Sequence, residues 1–163
     1  MERPLLRINH VELTVPHGFV AANGDAVATF FADIFGFHRN IFPGLEAAHL
    51  VLASDDESSQ FLFLCEAAEP AILRGDDHLG FHLDDEAEVD AALARCRAHQ
   101  LNDPRVEIRL FDDLDLERTV THAFYLRYLL PIWIDVQHIR AKPGFAPRRR
   151  WHFGEALAAK SQA

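Results

Sequence analysis

The chain is poor in cysteine, short of positive charge and without long apolar runs, and each shortage excludes something. Only two cysteines, Cys65 and Cys96, occur in 163 residues. Their spacing suits neither a thiolate metal site nor a redox pair. Both fall in apolar-patterned segments, which predicts buried free thiols. Lys and Arg total 16 against 25 Asp and Glu, a net charge of -9. Such an acidic surface excludes non-specific binding to nucleic acid. The one basic run, Arg148-Arg149-Arg150, is read as a solvated tail or a clamp on an acidic neighbour. No stretch approaches the roughly 20 apolar residues of a membrane span. No apolar core of a signal peptide follows Met1-Glu2-Arg3-Pro4. The expectation is a cytoplasmic protein with no membrane or nucleic-acid partner.

Apolar residues make up 49% of the chain and charged residues 25%, a balance that supports one globular domain with its own core. Leu5 to Val15 alternates as a strand: Val11, Leu13 and Val15 share one side, His10, Glu12 and Thr14 the other. A loop with Pro16, Gly18, Asn23 and Gly24 follows. Over Asp25 to Phe35, Val27, Phe30, Phe31 and Ile34 form one helical stripe, and Gly36 is a natural stop. Strands are expected over 37–42, 48–53 and 60–66.

The same order then repeats. His78, Gly80 and His82 alternate with Leu79, Phe81 and Leu83. A helix from Asp85 to His99 carries the apolar stripe Val89, Ala92, Leu93 and Cys96, and Asp85 with Glu88 forms a capping box. Strands are expected over 105–111, 118–128 and 132–140. Two strand-helix-three-strand units, about 5–66 and 77–139, predict an α+β fold. The paired βαβββ modules would form a curved, open-barrel mixed sheet, its apolar face covered by helices and its polar face concave. Histidines on that concave face point to a site there. Residues 141–163 leave the pattern and are read as an extension packing on the 1–140 domain or on a partner subunit. The apolar turn Tyr128-Leu129-Leu130-Pro131 suggests cover by another surface.

Several segments resemble the vicinal oxygen chelate superfamily of glyoxalases, bleomycin resistance proteins and extradiol dioxygenases. These are Asn9-His10-Val11-Glu12-Leu13, Phe30-Phe31-Ala32-Asp33-Ile34-Phe35-Gly36-Phe37, His78-Leu79-Gly80-Phe81-His82-Leu83, Phe124-Tyr125-Leu126-Arg127 and Trp133-Ile134-Asp135-Val136. The resemblance implies metal ligands on the first and last strand of each half. Carried over, they fall on His10, His78 and Asp135, while the fourth position holds Phe63, which cannot bind metal.

Two imidazoles and one carboxylate form the set that non-haem Fe(II) enzymes use. The resemblance therefore implies a divalent metal, Fe(II) favoured over Mn, Zn, Ni or none. It also implies a small oxygen-chelating substrate and a homodimer. Extradiol-type ring cleavage is the favoured reaction. Tyr125 would position the substrate, and His82 would act as an acid/base or support a ligand. Phe61, Phe63, Trp133 and His122 are the candidate pocket lining. Two alternatives stand beside this: a metal-free binder of drugs or aromatic ligands, and a glyoxalase-like lyase or isomerase.

Overall fold

The computed structural model describes residues 8–44, 48–56 and 58–145. The first module runs β1 (His10–Pro16), α1 (Phe19–Phe35), β2 (His38–Asn40), β3 (His49–Ala53) and β4 (Phe61–Ala67). The second runs β5 (His78–His82), α2 (Glu86–Asn102), β6 (Val106–Leu110), β7 (Leu114–Asp115), β8 (Thr119–Tyr128) and β9 (Trp133–Ala141). The α+β fold of two βαβββ modules is present, with β7 an added two-residue strand pairing with β8. The modules build two sheets, ordered β1-β4-β3-β2 and β5-β9-β8-β6. In each, the first strand lies parallel to the last, matching His10 with Phe61 and His78 with Trp133.

Helix α1 begins at Phe19, well before the expected Asp25, and so absorbs Asn23 and Gly24. The reason is not local. Glu66, at the far end of β4, accepts the backbone N–H of Gly18 and of Val20, each at 2.8 Å. A carboxylate there satisfies orphan donors and complements the helix dipole. Those two N–H groups hold the Glu66 carboxyl below its usual range. Gly24 is buried inside the helix, and a Cβ on it would meet Val20 Cγ1 at 3.4 Å and Leu50 Cδ2 at 4.0 Å. Gly36 ends the helix in the left-handed region, its N–H bonded to Ala32.

Helix α2 starts at the expected Asp85 cap, with Glu88 reaching back to the N–H of Asp84 and not to that of Asp85. Asp85 accepts from the Glu88 N–H at 2.8 Å, and the Glu88 carboxylate accepts from the Asp84 N–H at 2.9 Å.

One core serves both modules. Leu13, Leu62 and Leu64 of the first sheet join Phe124, Leu126, Ile134 and Val136 of the second in a single cluster with Phe30, Phe31, Ile34, Val89 and Cys96. Helix α1 packs on the second sheet as well as its own. The Phe30 ring lies 4.5 Å from Tyr128, and Phe35 lies 5.1 Å from Phe81. Arg95 of α2 donates to the Ile34 carbonyl at 2.8 Å. The helices thus fill the space between the two sheets. The face of each sheet that joins this core points inward and the other outward. Burial also pushes the Cys96 thiol up to about 12 and the Cys65 thiol to about 11, so both stay protonated.

The apolar turn after β8 needs no outside cover. Leu129 takes φ 60, the Leu130 N–H bonds the Tyr128 carbonyl at 2.6 Å, and Leu130 and Ile132 enter the core. The extension from 146 onward, with its arginine run, lies outside the described residues.

Candidate metal and substrate site

Strand pairing places His78, Gly80, Trp133, Asp135 and Tyr125 on one outward face of the second sheet. Gly80 sits opposite Asp135 on β9, and Asp135 opposite Tyr125 on β8. Asp135 is the one buried acid among the described residues, with 7% of its surface exposed. Its Oδ1 has no hydrogen-bond partner among them. Burial raises the carboxyl above its usual range, and His78 opposes that rise. An unpaired buried carboxylate is costly, so its persistence asks for a ligand.

His78 Nδ1 lies 2.7 Å from the carbonyl oxygen of Asp76. A carbonyl only accepts, so Nδ1 is the donor there, which leaves Nε2 as the nitrogen able to offer a lone pair. Nε2 lies 3.9 Å from Asp135 Oδ2. A metal-ligating histidine is commonly fixed in this way, its other nitrogen bonded to a backbone carbonyl. The Tyr125 hydroxyl lies 3.5 Å from the same ring, and Phe111 packs edge-on against Tyr125 at 4.9 Å. Burial and the nearby Asp135 and Asp76 charges raise the Tyr125 phenol above its usual value, so it remains a proton donor at neutral pH. The residues present fit a divalent ion: an imidazole lone pair and an orphaned carboxylate face one another across a gap.

His10 is elsewhere. It is exposed on the outward face of the first sheet, stacked on Phe61 with ring centroids 4.8 Å apart. Phe63 stacks on His49 at 5.2 Å, and Phe42 closes on Phe61 and Phe63 at 5.3 and 6.0 Å. Among the described residues no three His, Cys, Asp or Glu side chains gather as a metal site. His10 stands on the first sheet, whereas His78 and Asp135 stand on the second.

The remaining candidates divide. Trp133 is buried at the site, its Nε1 without a partner among the described residues and its ring under the guanidinium groups of Arg109 and Arg127. His82 shares the His78 face but stands further along β5, opposite Gln137. Its Nε2 accepts the Ile139 N–H at 3.4 Å, and its ring lies 5.5 Å from His138. Burial and His138 lower its pKa, so it is neutral near pH 7. His122 does not line the pocket. It faces the helix side of β8, bonded to Asp113 at 2.7 Å and to Asp90 of α2 at 3.2 Å. In a strand, residues three apart lie on opposite faces, so His122 cannot join Tyr125.

Sequence reasoning passed over Asp76, which orients His78, and the arginines beside Trp133. It also passed over Glu12, although alternation puts Glu12 on the His10 face, opposite Phe63.

Comparison with solved structures agrees with the fold. The fosfomycin resistance protein FosX from Listeria monocytogenes superposes with a TM-score of 0.58 at 14% identity, over 83% of this chain and 92% of that one. Another FosX structure, at TM-score 0.54 and 14% identity over 82% and 90% of the two chains, holds Mn(II) and a dihydroxypropylphosphonic acid. Lactoylglutathione lyase from Agrobacterium tumefaciens matches at 0.52 with 20% identity, over 83% and 95%. The fold is therefore that of the vicinal oxygen chelate proteins, as the sequence resemblance implies. No family model and no curated protein matches the sequence. No helix among the described residues is long and apolar enough to cross a membrane.

Proposed function

We propose that the protein is a divalent-metal enzyme acting on a small oxygen-chelating substrate, with a site completed between two copies of the chain. His78 and Asp135 of one copy would hold the ion together with His10 of the second. The observation that carries this reading is the buried Asp135 carboxylate, orphaned at Oδ1 and facing the lone pair of His78 Nε2. Bringing the outward face of one copy's second sheet onto the first sheet of another would create the concave site that neither face forms alone. A two-fold arrangement makes two such sites per dimer.

When bound, the ion supplies Lewis-acid polarisation of the substrate's two oxygens and, as Fe(II), redox chemistry with O₂. The chain's own residues do the rest. The Asp76 carbonyl keeps His78 in one tautomer. Tyr125 offers its hydroxyl proton to a substrate oxygen at the edge of the site. Phe61, Phe63 and Trp133 exclude water around an apolar substrate body. Two imidazoles and one carboxylate, with Phe63 in place of a fourth ligand, favour extradiol-type ring cleavage over lyase or isomerase chemistry.

The stacked rings of the first sheet support a second reading, a metal-free binder of aromatic ligands. Metal analysis of tag-free protein after anaerobic Fe(II) or Mn(II) loading decides between them. The enzyme reading expects one ion per chain in the wild type and none in His78→Ala. No bound ion in the wild type leaves the binder.

A further inference from the structure

The two arginines beside Trp133 are held differently. Arg127 uses its side-on edge on Glu107: Nε donates to Oε1 and Nη2 to Oε2, both at 2.8 Å. Arg109 donates from Nη1 alone, to Asp76 Oδ1 at 2.8 Å. Its Nε/Nη2 edge has no partner among the described residues. That edge is the fork that matches a carboxylate or phosphonate with two parallel hydrogen bonds. The Arg109 guanidinium is also fixed in place, 4.0 Å from the centroid of Trp133. A guanidinium so restrained loses little freedom on taking an anion.

Its position ties it to the proposed metal site. Arg109 is the strand partner of Tyr125. Asp76, which holds Arg109 through its carboxylate, orients His78 through its carbonyl. The unused fork therefore stands on the outward face next to Tyr125 and His78. Arg127, with its fork filled, has no such capacity.

From this we infer that the substrate carries an oxyanion, a carboxylate or phosphonate, beside its two chelating oxygens, and that Arg109 receives it as a bidentate pair. This rests on the metal-site reading above. The test uses full-length Mn(II)-loaded protein under argon and the matched probes catechol, 2,3-dihydroxybenzoate and 3,4-dihydroxybenzoate, which differ by one carboxylate. Calorimetry should show at least one dihydroxybenzoate binding about tenfold or more tighter than catechol. Arg109→Gln should erase that preference while keeping its Mn(II), read by electron paramagnetic resonance. Arg127→Gln should keep both. Equal affinity for all three probes in the wild type overturns the inference and leaves the metal site standing. So does a preference that survives Arg109→Gln or vanishes equally in Arg127→Gln. If no probe binds the Mn(II)-loaded wild type, the inference is overturned, while the protein's Mn(II) content decides the metal-site reading separately.

Discussion

The two outward sheet faces come from modules with the same element order, yet they differ in chemistry. The first carries stacked rings: His10 on Phe61, His49 on Phe63, and Phe42 against both phenylalanines. The second carries charge: Asp135 buried, His78 oriented by a carbonyl, and Arg109 and Arg127 over Trp133. The inward faces, by contrast, are both aliphatic and aromatic and share one core. Packing constrains the inward faces alike, whereas the outward faces are free to specialise. On the proposed reading, the first sheet takes the substrate body and the second its reacting oxygens.

The largest expected effect falls on the charged face. Asp135→Asn and His78→Ala should each remove metal binding, read by metal analysis. Asp135→Asn should also raise the stability of the metal-free protein near pH 7 by on the order of 1 kcal/mol, because it discharges a buried group. The sign follows from the raised carboxyl: the native state favours the protonated form, so this penalty is absent at low pH and grows as pH rises through the native pKa. A metal-free Asp135→Asn variant less stable than wild type at pH 7 would break this account of the charged face.

His10→Ala tests the aromatic face. It should weaken metal affinity by more than the roughly 10- to 100-fold typical of a group that only supports a ligand, while leaving the thermal midpoint nearly unchanged, since His10 is exposed. Next in size is the cap that joins β4 to α1. Glu66→Ala should lower the thermal midpoint by several degrees. Because its native pKa is depressed, the Glu66 contribution is present above the unfolded carboxyl value and lost as pH falls through the native one. Wild type and variant should therefore converge in acid.

The smallest effect belongs to His122. Its two carboxylate partners, Asp113 first, raise its pKa. The stabilisation is complete below the unfolded histidine value and lost as pH rises through the native one. His122→Ala should cost about 1 kcal/mol or less at mildly acidic pH and still less in alkaline conditions. Metal content should not change, in keeping with its place on the helix side.

Much of this was legible in the chain. Alternation around Leu13, Val15, Leu79 and Phe81 fixed strand faces, and the Asp85–Glu88 box marked the second helix. The start of α1 was not legible, because its cap is Glu66, 46 residues after Val20. Nor was the outward direction of both histidine faces, since it depends on α1 packing against β5 and β8 of the other module. The resemblance implied a shared site for His78, Tyr125 and Asp135, and strand pairing puts them on one face; alternation along β8 separates His122 from Tyr125. The bond from Asp76 to Arg109, by contrast, depends on a β6 neighbour that no local pattern announces.

The central claim is that His10 acts in trans with His78 and Asp135. Complementation tests it directly: His10→Ala and His78→Ala are unfolded together, refolded as a mixture and assayed for tight Mn(II) sites. Sites shared between copies predict that each variant alone binds poorly while the mixture regains one intact site per heterodimer. A mixture that binds no better than its two components would contradict the shared site.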